Sequence, residues 1–75
     1  MNKERKRKIK DIRNELSDLQ CRLSSLRDDE EEYYDNIPEN LQGSERAEES
    51  EEYVRLLDEI VDHIGDIIDD LMEIN

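Results

Sequence analysis

Ile9-Lys10-Asp11-Ile12-Arg13-Asn14-Glu15-Leu16-Ser17-Asp18-Leu19-Gln20-Cys21-Arg22-Leu23-Ser24-Ser25-Leu26 decides the fold. Its apolar side chains stand at 9, 12, 16, 19, 23 and 26, at steps of 3, 4, 3, 4 and 3. Alternating threes and fours keep one helical face apolar, which is the a/d seam of a coiled-coil heptad. Ile9 takes a and Ile12 takes d. Glu30 and Tyr33 occupy the next a and d, so the register persists while the seam turns polar. Neither Gly nor Pro interrupts residues 3–34, and the stretch predicts one long helix.

The pattern returns with Tyr53, Leu57, Ile60, Ile64, Ile67, Leu71 and Ile74, at steps of 4, 3, 4, 3, 4 and 3, with Leu57 at a. Between the two runs lies Asp35-Asn36-Ile37-Pro38-Glu39-Asn40-Leu41-Gln42-Gly43-Ser44. Pro38 cannot continue a helix, and Asn, Gly and Ser are turn and cap residues. Ser44 is placed to cap the second helix, with Glu45, Glu48 and Glu49 near the positive end of its dipole. The chain is therefore expected to form one domain over 1–75: helix over about 3–34, loop over about 35–44, helix over about 45–74.

In an antiparallel hairpin the numbers of facing residues add to a constant. Leu26 with Leu57, Leu23 with Ile60, Leu19 with Ile64, Leu16 with Ile67, Ile12 with Leu71 and Ile9 with Ile74 all add to 83. The midpoint falls inside the expected loop, where Ile37 and Leu41 are placed to plug the seam. The expected fold class is all-α, a two-helix antiparallel coiled-coil hairpin.

The second helix carries more apolar surface than a two-helix seam uses. Val54, Val61 and Ile68 recur at e and Leu56 falls at g, whereas the first helix offers Arg13, Gln20 and Arg27 at e. A second copy is the simplest cover, giving a homodimeric four-helix bundle with a dimer seam of Val54, Leu57, Val61, Ile64, Ile68 and Leu71. Alternatively, the stems of Arg13 and Arg27 lie over the e stripe within one chain.

Composition sets the limits. The chain has 75 residues, 45% of them charged and 33% apolar, with a net charge of −12. Such a chain borders on disorder unless its apolar residues are strictly placed, and its size favours a staple or a partner subunit. One cysteine, Cys21, cannot form an internal disulfide. No apolar run approaches the ~20 residues that span a bilayer, and no secretory leader is expected. The expected setting is cytoplasmic.

Charge divides sharply along the chain. Residues 1–27 hold nine Lys/Arg and four Asp/Glu, a balance of +5, and residues 28–75 hold two and nineteen, a balance of −17. The basic start, Lys3, Arg5, Lys6, Arg7, Lys8 and Lys10, has two readings. It resembles a nucleic-acid patch, and in a hairpin it also lies alongside Asp66, Asp69, Asp70 and Glu73, where the two clusters offset each other. The loop end has no such compensation: residues 28–52 carry twelve carboxylates and Arg46 alone as a cation. Glu31, Glu32, Asp35, Glu39, Glu45, Glu48, Glu49 and Glu52 form the candidate acidic face for a basic partner. Carboxylates along a rigid helix also mimic the phosphate track of a nucleic acid. The plainer reading is a solvated, solubilising surface.

Other chemistry is sparse. His63 falls at g with Glu59 and Asp66 within helical reach, but no second histidine or nearby thiol completes a metal site. Cys21 falls at f, away from the seam. Gly65 falls at b, where it permits a bend or a close contact. With no triad or phosphate loop, no enzymatic activity, metal or cofactor is expected.

The stretch Tyr33-Tyr34-Asp35-Asn36-Ile37-Pro38-Glu39-Asn40-Leu41-Gln42-Gly43-Ser44-Glu45-Arg46, between a charged helix and one rich in Glu, Asp and Ile, resembles small helical proteins of bacteriophages and mobile elements of Gram-positive bacteria. The resemblance implies a phage origin and the cytoplasm of an infected host. It leaves the segment from Asn36 to Arg46 as either a capping device or a recognition element. The functional expectation is a non-enzymatic phage accessory protein that binds a host or phage protein with a basic surface, in the narrower case inhibiting a host defence complex. The alternative is a structural or nucleic-acid-associated accessory that uses the basic start.

Overall fold

A computed structural model describes residues 1–74 as a helical hairpin, with α1 at Lys3–Asp35, a one-turn 3₁₀ helix at Glu39–Leu41 and α2 at Glu45–Met72. Its extents of 60 × 14 × 12 Å describe a rod one hairpin thick. Each helix starts on a side-chain cap. Asn2 Oδ1 accepts the Arg5 N–H at 2.8 Å, and Ser44 Oγ accepts the Ala47 N–H at 3.3 Å. These bonds satisfy donors that the first turn of a helix leaves free.

The turn is closed by its own hydrogen bonds. The Asn36 and Ile37 N–H groups donate back to Glu32 and Tyr34, each at 3.1 Å, before Pro38 stops α1. Leu41 N–H then donates to the Pro38 carbonyl at 2.8 Å, and Ser44 N–H to Leu41 at 3.0 Å. The Gln42 carboxamide reaches back to the carbonyls of Ile37 (2.9 Å) and Tyr34 (3.4 Å), the latter already accepting the Ile37 N–H. Residues 36–44 are thus tied to the end of α1 and the start of α2 by their own hydrogen bonds. Ile37 is half-buried as expected, whereas Leu41 is 49% exposed and plugs nothing.

Three cross-helix hydrogen bonds fix the register. Gln20 bonds Val61, Ser50 bonds Glu30 and Arg27 bonds Asp58, pairs whose numbers add to 81, 80 and 85, around the expected 83. The rotation of the helices is different from the a/d expectation. On α1 the half-buried positions are Lys6, Ile9, Arg13, Leu16, Gln20, Leu23, Ser24, Arg27, Glu30, Glu31 and Tyr34, which are a and e apart from Ser24 and Glu31 at b. On α2 the covered positions are Ala47, Ser50, Val54, Leu57, Val61, Ile64, Gly65, Ile68 and Leu71, again a and e apart from Gly65 at b.

The six residues expected to form a dimer seam, Val54, Leu57, Val61, Ile64, Ile68 and Leu71, therefore lie half-buried along the hairpin's own seam. The physical reason is in the e positions. Rolling α2 inward at e covers the β-branched Val54, Val61 and Ile68. The long side chains of Arg13, Gln20 and Arg27 on α1 keep their polar heads at the edge while their stems join the seam. The alternative reading of those arginines is the one the fold adopts.

The seam is thin. Among the described residues only Ala47 (0% exposed) and Ser50 (2%) are buried, and no large side chain is fully buried. Both are small, and both lie next to the loop, where the turn draws the helices together.

Candidate functional site

Rolling both helices to a/e leaves d on the outside of each, and the two d stripes share one side of the rod. Ile12, Leu19, Leu26 and Tyr33 of α1 are 44–58% exposed, and Tyr53, Ile60 and Ile67 of α2 are 42–48% exposed. A groove runs between them. Its depression near the loop, about 410 Å³, is lined by Leu26, Glu30, Tyr53, Leu56, Leu57 and Ile60. The next, about 260 Å³, is lined by Leu16, Leu19, Arg22, Leu23, Leu26 and Ile64. Leu26 is shared, so the two are continuous; a residues form the floor, and d and g residues the walls. By the observed register the d residues of the two helices alternate along the groove, in the order Ile74, Ile12, Ile67, Leu19, Ile60, Leu26, Tyr53 and Tyr33. Fully burying each such aliphatic side chain contributes roughly 1.5–3 kcal/mol.

The opposite side is stitched by polar groups. Gln20 Nε2 donates to the Val61 carbonyl at 3.0 Å. Gly65 makes room for it, because a Cβ there would stand 3.0 Å from that nitrogen. Of the two roles open to Gly65, the structure therefore shows the close contact. Arg27 meets Asp58 across the helices, with Nε 2.7 Å from Oδ1 and Nη2 donating to Oδ2 at 3.4 Å. The same guanidinium meets Asp28 Oδ1 at 2.9 Å and Glu31 Oε2 at 2.7 Å. Hydrogen bonds to Asp28 and then Asp58 raise its pKa further above the ordinary arginine value.

The acidic face divides into paired and unpaired members. Glu31 is half-buried and tied to Arg27. Glu52 is paired with Arg55, whose hydrogen bond holds the Glu52 carboxyl below its ordinary value. Glu49 Oε1 accepts the Tyr53 hydroxyl at 2.9 Å, a bond that raises the Tyr53 phenol pKa. Glu32, Asp35, Glu39, Glu45 and Glu48 are exposed and have no ion pair among the described residues, and Arg46 has none either. The face is thus held on two capped helix ends, with most of its carboxylates turned to solvent.

At the other end of the rod, Lys8 pairs with Glu4 at 3.7 Å on its own helix. Among the described residues, no ion pair joins the basic start to Asp66, Asp69, Asp70 or Glu73. Any compensation between these clusters is through-space and screened by salt. His63 and Cys21 are exposed, and no group of three His, Cys, Asp or Glu side chains among the described residues is placed to hold a metal ion. Among the described residues, no helix is long and apolar enough to cross a membrane.

Sequence reasoning missed the buried Ser50, whose Oγ donates to Glu30 Oε1 at 2.8 Å. The signal was present: carrying the heptad of α2 back toward the loop puts Ser50 at a and Ala47 at e, and small residues there mark close approach. No family model matches the chain, and neither a curated protein nor a solved structure does. The assignment of roles to these surfaces rests on geometry and charge.

Proposed function

We propose that this chain is a non-enzymatic binding protein that works as a homodimeric four-helix bundle and engages a basic partner through its acidic loop end. The observation that carries this reading is the set Glu32, Asp35, Glu39, Glu45 and Glu48, exposed and without ion pairs among the described residues, on the ends of α1 and α2 and the turn between them. Crowding like charges opposes folding, so carboxylates held this way favour a ligand that brings cations. A lysine- and arginine-lined groove, of the kind that holds nucleic-acid phosphates, is the matching chemistry. In its narrower form the reading makes the protein a phage accessory acting in the host cytoplasm as an inhibitor of a defence complex.

The test is a tagged pull-down from nuclease-treated bacterial lysate at moderate salt. It should recover one stoichiometric protein with a basic surface. Reversing Glu45, Glu48, Glu49 and Glu52 to Lys should abolish capture while the helical circular dichroism signal remains. Capture unchanged by the reversal would overturn the acidic-face reading.

A second reading draws on the basic start, where only Lys8 among the cations of residues 3–10 is in an ion pair. Those cations suit the backbone of a nucleic acid. In that case DNA or RNA binding at low salt should vanish when Lys6, Arg7, Lys8 and Lys10 become Gln. No binding by the unmutated chain at low salt would remove this alternative.

A further inference from the structure

We infer that the apolar groove is filled by a second copy of this chain running antiparallel to the first, so that the basic start of each lies beside the acidic loop end of the other. The inference rests on the homodimer proposed above and gives it a face and a direction. That face is the d side of the rod, opposite the Gln20–Val61 stitch. The need for an occupant is internal to the fold: among the described residues no large side chain is fully buried, and the exposed Leu19, Leu26, Tyr53, Leu56 and Ile60 line one continuous groove. An occupant made with the chain is always at hand, and it brings the same d stripe.

Direction follows from size and charge. A two-fold axis across the rod midway between Leu19 and Leu26, level with Arg22 and Leu23, sets Ile12 of one copy against Tyr33 of the other. Leu19 then meets Leu26, and Tyr53 lies near Ile67 of the second copy. Small against large fills the groove more evenly than tyrosine against tyrosine. The same axis places residues 3–10 of one copy level with the loop end of the second copy, within residues 33–51. Residues 3–10 hold six Lys/Arg and one Glu, a balance of +5. Residues 33–51 hold six Asp/Glu and one Arg, a balance of −5. A parallel pair would instead press two acidic loop ends together. Like charges juxtaposed across an interface are strongly disfavoured.

Glu31, Glu32, Asp35, Glu45, Glu48 and Glu52 fall at b, c and f, away from the docked side. The antiparallel dimer therefore keeps an outward acidic face at each end and acts as a two-headed binder. The heads stand about one rod length, 60 Å, apart.

The experiment uses the full chain with Cys21→Ser and Asn40→Cys, carrying a nitroxide label at the exposed loop position, read by double electron–electron resonance. The antiparallel dimer gives a distance distribution centred near 60 Å. A centre near about 20 Å, the spacing of neighbouring helices plus the label, would overturn the antiparallel arrangement and leave the homodimer standing. The absence of any intermolecular distance, with a mass of one 9.0 kDa chain, would overturn the second copy as occupant. On an otherwise unlabelled chain, Ile60→Lys in the groove should weaken dimerisation about a hundredfold or more, because both copies lose a buried side chain. Asp69→Lys on the outer face should leave it within a few fold, and equal effects of the two would overturn the assignment of the face. The pull-down phenotype of the loop-end carboxylates is a separate readout, so failure here and failure of the acidic-face reading are told apart.

Discussion

The two sides of this rod are built from the same two helices and hold together differently. One side closes by polar reach: Gln20 crosses to the Val61 carbonyl and Arg27 to Asp58. The other side stays open, with Leu19, Leu26, Ile60 and Ile67 between 42% and 58% exposed. The closed side completes one hairpin with groups that tolerate water at their tips. The open side carries side chains that gain only when something dry covers them. The contrast teaches that the helical repeat does not by itself say which apolar stripe folds the chain and which one is left for assembly.

The sharpest way to break this contrast is to place the same charge on each side in turn. Val61→Lys puts an ammonium into the half-buried hairpin seam and is expected to cost on the order of 3 kcal/mol, lowering helicity at every concentration. Ile67→Lys, on the open side, should lower stability mainly on dilution, so that its melting temperature depends steeply on concentration. Thermal melts followed by circular dichroism over a hundredfold dilution check both. Identical concentration dependence would erase the distinction between the two sides.

The end of the seam near the loop is the next test. Ser50→Ala removes the hydroxyl bound to Glu30 and leaves a half-buried carboxylate without that donor, for an expected loss of about 1–3 kcal/mol in chemical denaturation. No loss would mean that water replaces the hydroxyl at no cost. A finer test sits on the closed side. Gly65→Ala brings a helix-propensity gain of up to ~1 kcal/mol but crowds Gln20 Nε2. The substitution should therefore stabilise a Gln20→Ala chain more than the unmutated one, by about 0.5–1 kcal/mol in a double-mutant cycle. Additive effects would show that Gly65 and Gln20 are independent.

The smallest expected effect is electrostatic. Because Arg55 holds the Glu52 carboxyl below its ordinary value, their pair contributes above the usual carboxylate range and is lost as pH falls through the lowered midpoint. The Glu52 titration, followed by NMR, should move up in an Arg55→Ala chain. Both groups are solvent-exposed, so little change in melting temperature is expected.

Much of this hairpin was legible in the heptads. Their steps locate both helices, Pro38 and Ser44 locate the turn, and the constant near 83 sets the register to within a few residues. Rotation was harder, because α2 is apolar at a, d and e together, and periodicity does not choose between a/d and a/e. That choice depends on what the α1 e positions contribute. Arg13, Gln20 and Arg27 look polar in sequence, yet their stems can line a seam. The same ambiguity placed the expected dimer seam on Val61 and Ile68, which the hairpin half-buries along its own seam. Of the acidic face, the residues are plain in the sequence. Which ones stay unpaired follows from the reach of Arg27 and Arg55, and that is set by the fold.

The most direct test of the central claim is the mass of the unmutated chain by multi-angle light scattering across a dilution series, with circular dichroism on the same samples. A chain whose open side is built for another copy has twice the 9.0 kDa chain mass at micromolar concentrations and loses helicity as it dissociates. A fully helical species of one chain mass at every concentration would contradict the account.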